Sequence, residues 1–172
     1  LKELEMTNAS FKIKLSSENH NISINGIDDC EFYISTNSGC ALEPLSKIVS
    51  GGEVSRIMLA IKISLNEKDL VPSLLFDEID TGISGIIAEK VGRIIEKLSF
   101  NQQIICISHL SQIASKGSHH FNVSKHEDNG SIKVEIKKLN QKERINEIAS
   151  LISGEDISRA GYEQAEILLN NG

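Results

Sequence analysis

Three short stretches carry residues whose types and spacing suit phosphate chemistry. Ser50-Gly51-Gly52-Glu53 runs straight into an apolar-periodic segment. Bare backbone at a helix start seats anions, because unpaired N–H groups point outward and the helix dipole adds partial positive charge. Asp77-Glu78 closes the apolar run "SLLF". There the first carboxylate is placed to hold a hard cation, Mg²⁺, through its water shell, and the second to orient or deprotonate a water attacking a phosphate. His109 closes another apolar run, "IICIS", where an imidazole can touch a γ-phosphate and report its presence. Singly, each has a plainer reading: a glycine turn, an acidic surface loop, a structural histidine. Their conjunction, in this order and at compact spacing, points to one phosphate site.

The elements around these stretches are those that such a site needs. After Gly52, Val54, Ile57, Met58, Ile61 and Leu65 form one helical stripe. "SLLF" reads as a short strand, and Ile87, Val91, Ile94, Ile95 and Leu98 mark a second helix. "IICIS" (104–108) is unbroken, the pattern of a strand buried on both faces. Strand, helix, strand with short loops is a crossover unit, whose functional edge lies at the carboxyl ends of its strands. Asp77-Glu78 and Ser108-His109 both fall at that edge.

Ahead of the unit, residues 11–36 alternate as strands do: Phe11, Ile13 and Leu15, then Ile22 and Ile24, then Phe32 and Ile34. Asn25-Gly26 and Asn37-Ser38-Gly39 are turn residues, so a small antiparallel sheet is expected there. Behind the unit, "HHFNVSK" and "SIKVEIKKL" around Asp128-Asn129-Gly130 predict a hairpin, followed by helices over about 143–152 and 158–169.

Composition narrows the function. A chain of 172 residues, 40% hydrophobic and 24% charged, has room for one domain with a real core. With 4% aromatics, no Trp and a net charge of −6, the chain does not read as a nucleic-acid binder on its own. The stretch Lys133, Lys137, Lys138, Lys142 and Arg144 is broken by Glu135 and Glu143 and reads as a solvated face. Cys30, Cys40 and Cys106 are an odd set without CxxC spacing, which excludes a zinc knuckle and suits a reduced compartment. No signal peptide or membrane-length apolar run occurs, so a cytoplasmic protein with no membrane partner is expected. No GxSxG elbow surrounds Ser50 or Ser84, which removes a serine hydrolase. His20 and His126 read as polar-loop residues, and His119 and His120 as the start of a strand.

The ordered motifs resemble the ATP-binding-cassette ATPases: "VSGGE" is similar to their signature loop, "SLLFDE" to Walker B and "ICISH" to the switch-histidine strand. The D-loop departs from that of transporters, being "IDTGISG" (79–85). "LSKIVSGGEVSRIMLAIK", "LLFDEIDTGISG", "ISHLSQIAS" and the closing "INEIASLISGEDIS…AGYEQAEILL" together resemble the RecN family, SMC-like bacterial proteins of double-strand-break repair. The resemblance covers essentially the whole chain.

It implies an α/β fold: the C-terminal lobe of an ABC/SMC-type P-loop ATPase head, spanning 1–172, with a small antiparallel β-region before the signature helix. "LKELEM" (1–6) would end a coiled-coil arm. The cofactors implied are ATP and Mg²⁺, with Asp77 on the metal, Glu78 activating water and His109 sensing the γ-phosphate. Ser50, Gly51 and Gly52, assisted by Glu53, would meet the γ-phosphate across a head-to-head homodimer, with Thr81 and Ser84 in the D-loop at its seam. No glycine loop ending in Gly-Lys-Ser or Gly-Lys-Thr occurs in these residues. The Walker A loop would thus come from the N-terminal half of the same head, and this chain alone is expected to be inactive. DNA would be a partner of the full-length protein, which would be nucleoid-associated. Two rivals are a transporter subunit, disfavoured by the D-loop, and a non-catalytic cassette-shaped interaction module, disfavoured by the intact Asp77, Glu78 and His109.

Overall fold

The structure is a computed structural model and describes residues 1, 4, 6–17, 22, 24, 26–36, 39–48, 51–65, 71–128, 130–154 and 156–170. Ser50 lies outside the described residues, as do His20, Asn129 and the turn residues Asn25, Asn37 and Ser38.

The first alternating segment forms β1 (Ser10–Ser17) and β2 (Asp28–Ser35), antiparallel, with a short β3 (Glu43–Pro44) beside β2. Phe11 faces Ile34 and Ile13 faces Phe32, so the apolar residues of both strands share one side. The rings of Phe11 and Phe32 lie 5.5 Å apart. Ile22 and Ile24 do not extend the pattern. The ladder ends at the Ser17–Asp28 pair, and both isoleucines are exposed beyond it.

α1 (Gly51–Leu65) leads to the crossover unit: β4 (Ser73–Phe76), α2 (Gly85–Ser99) and β5 (Gln103–Cys106). The two strands are parallel, with Leu75 opposite Ile105. Leu74, Phe76, Ile104 and Cys106 join a cluster made with Leu59 of α1, Ile79, and Ala88, Val91, Ile95 and Leu98 of α2. Leu4 is buried in the same cluster. Gly92 lets α2 pass close to α3 (Ser111–Ala114), where a Cβ would lie 2.9 Å from the Gln112 carbonyl oxygen.

Two expectations need correction here. β5 is covered on one face only: Leu75, Ile105 and Ile107 on the other are 64%, 51% and 56% exposed, because none of the described residues covers them. In α1, Met58 and Leu65 of the expected stripe are exposed, while Gly52, Arg56, Ile57 and Leu59 are buried. Positions 52, 56 and 59 repeat at helical spacing, and that face presses on the turn after β4.

The last third is β6 (Phe121–Asp128) and β7 (Ser131–Lys138), then α4 (Gln141–Ser153) and α5 (Arg159–Asn170). His119 and His120 precede β6 instead of opening it, and His126, expected in a loop, lies within β6 because the ladder runs on to Asp128. Val123 faces Ile136, while Phe121, Val134 and Ile132 fall at alternating positions of the same ladder, so all five apolar side chains share one face, and all are exposed. The opposite, polar face is the one tied to α4, through Asn122 donating to Glu147 at 3.1 Å. α4 opens with a capping box between Asn140 and Glu143, and Lys137 donates to Glu143 at 2.6 Å. That ion pair lowers the Glu143 carboxyl and raises the Lys137 ammonium relative to their ordinary values. Ile148, Ala149 and Ala165 form a second cluster between α4 and α5. Among the described residues, no helix is long and apolar enough to cross a membrane.

Candidate functional site

β4 and β5 end side by side, and the backbone stays joined one step past the ladder, with Ile107 N–H donating to the Phe76 carbonyl at 2.9 Å. Beyond that bond the chain leaves β4 as Asp77-Glu78 and leaves β5 as Ser108-His109. Asp77, Glu78, Thr81, Ser108 and His109, with Asp80 behind them, line a cavity of about 330 Å³ at this strand edge. Four of the residues expected at the site, Asp77, Glu78, Thr81 and His109, are therefore brought together. His109 and Glu78 come from different strand ends, and the parallel pairing is what makes them neighbours.

The turn after β4 is held from several sides. Glu78 adopts φ 55°, a left-handed conformation unusual for a side chain larger than glycine. Thr81 N–H closes onto the Glu78 carbonyl at 3.0 Å, and Ile79 is fully buried beneath. From α1, Ser55 Oγ donates to the Asp77 carbonyl at 2.8 Å. Arg56 donates to the Thr81 carbonyl at 2.7 Å and, more weakly, to that of Ile79 at 3.4 Å. Burial pulls the Arg56 guanidinium below its ordinary value, and Glu53 nearby offsets part of that shift.

The glycine pair at the start of α1 has an intramolecular reason to be there. A Cβ on Gly51 would lie 2.6 Å from Glu78 Oε2, and one on Gly52 would lie 2.8 Å from the Thr81 carbonyl oxygen. Bare backbone allows the helix terminus to sit directly on the turn. Glu53 lies elsewhere, in a smaller hollow of about 180 Å³ shared with Arg56, Leu4 and Ile83. Ser84 borders neither hollow. It is the exposed N-cap residue of α2, without a side-chain capping bond.

Asp80 was not among the expected residues, and it is the most enclosed acid of the site: its side chain is 2% exposed. Its Oδ2 accepts from Ser108 Oγ and from the His109 backbone N–H, both at 2.7 Å, and lies 3.0 Å from His109 Nδ1. Arg56 was missed as well. Neither stood out locally, since each has a polar neighbour, Ser55 beside Arg56 and Thr81 beside Asp80, and the partners of both lie more than 20 positions away.

Whether the site suits a divalent cation is decided by its donor set. Among the described residues, no three metal-capable side chains converge, so the protein alone does not cage an ion. The local field is nevertheless negative: after burial, Asp80 and Asp77 contribute to raising the Cys106 thiol to about 12. One exposed carboxylate, Asp77, in a negative field fits Mg²⁺, which keeps most of its waters and takes further oxygens from phosphate. The other described histidines lie outside the cavity, and the buried Nε2 of His120 has no hydrogen-bond partner among the described residues. His126 pairs with Glu135 at 3.0 Å, His119 contacts Ser118 at 3.2 Å, and His120 is packed against Gly117.

No family model matches the chain. It is 40% identical over 173 residues to DNA repair protein RecN of Halalkalibacterium halodurans, covering 99% of this chain and 31% of that protein. To DNA repair protein RecN of Rickettsia typhi it is 44% identical over 170 residues, covering 99% of this chain and 30% of that protein. The chain thus spans about 30% of the length of the curated relatives it matches. It is similar in fold to the Smc head domain with a coiled coil and joint from Pyrococcus yayanosii, with a TM-score of 0.55 at 20% identity over 86% of this chain and 27% of that one. Against the Smc head domain with an extended coiled coil from Pyrococcus furiosus, the TM-score is 0.51 at 23% identity, over 85% and 35% of the two chains. By sequence the chain is similar to RecN from end to end, and by fold it is similar to part of an SMC head domain.

Proposed function

We propose that the chain is the C-terminal lobe of an SMC-like ATPase head, acting in bacterial double-strand-break repair and recombination through ATP-driven dimerisation of two heads. The observation that carries this reading is the meeting of Asp77, Glu78 and His109 at the carboxyl ends of one parallel strand pair, directly against the start of α1. A docking module has no need to gather two acids and a histidine around one cavity. The RecN-like sequence supports the repair setting, and with it a cytoplasmic, nucleoid-associated protein whose DNA contact belongs to the full-length molecule. Residues 1–6 would end the coiled-coil arm, and the N-terminal half of the same head would bring the Walker A loop.

In this reading Asp77 holds Mg²⁺, which when bound offsets the charge of the phosphates. Glu78 orients the attacking water and accepts its proton on a carboxylate oxygen. His109 offers its ring to the γ-phosphate from the neighbouring strand. Ser50, Gly51 and Gly52, with Glu53 supporting the loop, present the α1 terminus to the γ-phosphate held by the other head. Thr81 and Ser84 lie along the seam between heads.

The test is Glu78→Gln in the full-length protein. The amide keeps shape and hydrogen bonding but cannot take the water's proton. The kcat for ATP hydrolysis should fall by about 100-fold or more, with ATP affinity retained and the ATP-engaged dimer longer-lived in light scattering. Unchanged turnover would remove Glu78 from the chemistry.

A further inference from the structure

We infer that Asp80 is a positioning residue for His109: it fixes which ring nitrogen carries the proton and which one faces the cavity. The inference rests on the role proposed above for His109 and adds a residue to it. Asp80 Oδ2 lies 3.0 Å from His109 Nδ1, an ion-pair approach without hydrogen-bond alignment, and because a carboxylate oxygen has no hydrogen to give, two lone pairs at that distance would repel, which favours the hydrogen on Nδ1. Nε2 is then the nitrogen left for the cavity that His109 lines. The His109 side chain is 71% exposed, so packing restrains it little and the charge of the Asp80 carboxylate acts on it directly. The same oxygen also takes the His109 backbone N–H and Ser108 Oγ, which fixes the main chain that carries the ring beside that acceptor. Ser108 Oγ in turn accepts from Leu110 N–H at 3.2 Å.

Asp80 is itself immobilised. Its side chain is buried, and its two flanking carbonyls, Ile79 and Thr81, both accept from Arg56 of α1. The contact therefore runs from the helix that would face the other head, through the turn, to the histidine that would sense phosphate. A carboxylate that merely stitched two loops together would be satisfied by Ser108 and the backbone N–H alone. The ring contact is the part that a stitching role does not need. Orienting partners of this kind, a carboxylate on the far nitrogen of a working histidine, change rates without touching the substrate.

The experiment uses the full-length protein labelled with ¹⁵N-histidine, with the His109 signal identified by its loss in His109→Ala. In the wild type the ring should show the Nδ1–H tautomer. In Asp80→Asn, where an amide N–H can face the ring, the signal should shift to the Nε2–H form or to a mixture. Steady-state ATP hydrolysis by the same variant should show kcat lowered by about 10–100-fold, with KM within about threefold. A wild-type His109 in the Nε2–H tautomer overturns the inference even if Asp80→Asn fails to fold. An Asp80→Asn protein with an unaltered His109 signal, or with unaltered kcat, overturns it too. If His109→Ala hydrolyses ATP at the wild-type rate, the phosphate-sensing role proposed for His109 fails instead, and the tautomer alone then decides whether Asp80 holds the ring.

Discussion

On the face of the β4–β5 pair that meets α1 and α2, Leu74, Phe76, Ile104 and Cys106 lie within the main cluster. On the opposite face, Leu75, Ile105 and Ile107 are each more than half exposed. The two faces are built from the same kinds of residue at alternating positions of the same strands, so what distinguishes them is a partner and not a sequence. The β6–β7 hairpin repeats the situation in sharper form, since its apolar face is bare while its polar face is tied to α4. An apolar side chain gains roughly 1.5–3 kcal/mol on full burial, and several such side chains stand uncovered on each of these faces. The cavity with Asp77, Glu78 and His109 sits at the strand ends, where the covered and the bare face meet. A covering partner would therefore complete the sheet and reach the site together.

The largest effect expected follows from supplying that partner. Purified alone, this chain should self-associate and release no phosphate from ATP. Mixed with the N-terminal half of the head, it should become a defined complex in size-exclusion chromatography and hydrolyse ATP. Steady turnover by the isolated chain would show that the bare faces and the missing phosphate loop are unrelated.

A second difference between the faces is chemical. Burial, then Asp80 and Asp77, push the Cys106 thiol up to about 12 from 9.0, so its thiolate fraction near neutral pH should be about a thousandfold below that of an ordinary thiol. Iodoacetamide followed by mass spectrometry should label the exposed Cys30 and Cys40 and spare Cys106. Moving the thiol one position, in Cys106→Ser combined with Ile105→Cys, places it on the bare face, where it should react readily.

Smaller, and thermodynamic, is the contrast between Phe76→Ala and Leu75→Ser. The first empties a site in the covered cluster and should cost about 3–5 kcal/mol in urea unfolding. The second alters a side chain that stands in solvent in the monomer and should cost under about 1 kcal/mol where this chain is dilute enough to be monomeric. Equal losses would mean that the exposed face is covered in solution, by a second copy.

The smallest effect concerns the base of the hairpin. Burial first, and Arg144 second, lower the His120 imidazole below its ordinary value. The folded chain thus holds His120 neutral where the unfolded chain takes a proton. Its contribution is present above about pH 6.5 and is lost as the pH falls below it. The urea midpoint should decline from pH 7.5 to 5.5, and His120→Gln should flatten that decline.

Much of this was legible in the residues. α2 was readable because its buried positions Ala88, Val91, Ile95 and Leu98 are all apolar and recur at the helical period. The strand ends at Asp77 and His109 were readable because acid and imidazole interrupt apolar runs. α1 was misread because its buried face runs through Gly52 and Arg56, which carry no apolar signal. Asp80 was invisible for a related reason: its partners lie 28 and 29 positions on, and only the parallel pairing of β4 with β5 brings them near. The bare face of β4 and β5 was legible only through the Walker A half that these residues lack, which leaves an apolar face around "SLLF" and "IICIS" uncovered, since a run that suits burial on both sides says nothing of where the second cover comes from.

Gly52 has a consequence for genetics. A side chain there would meet the Thr81 and Glu78 backbone at 2.8–3.0 Å; Thr81 adjoins Asp80, and Glu78 is the proposed base. If the α1 terminus serves the opposite head while the turn serves its own, a single substitution at Gly52 injures two sites at once. A dimer with one Gly52→Ala copy and one intact copy would then resemble the double mutant in turnover, and the lesion would be dominant.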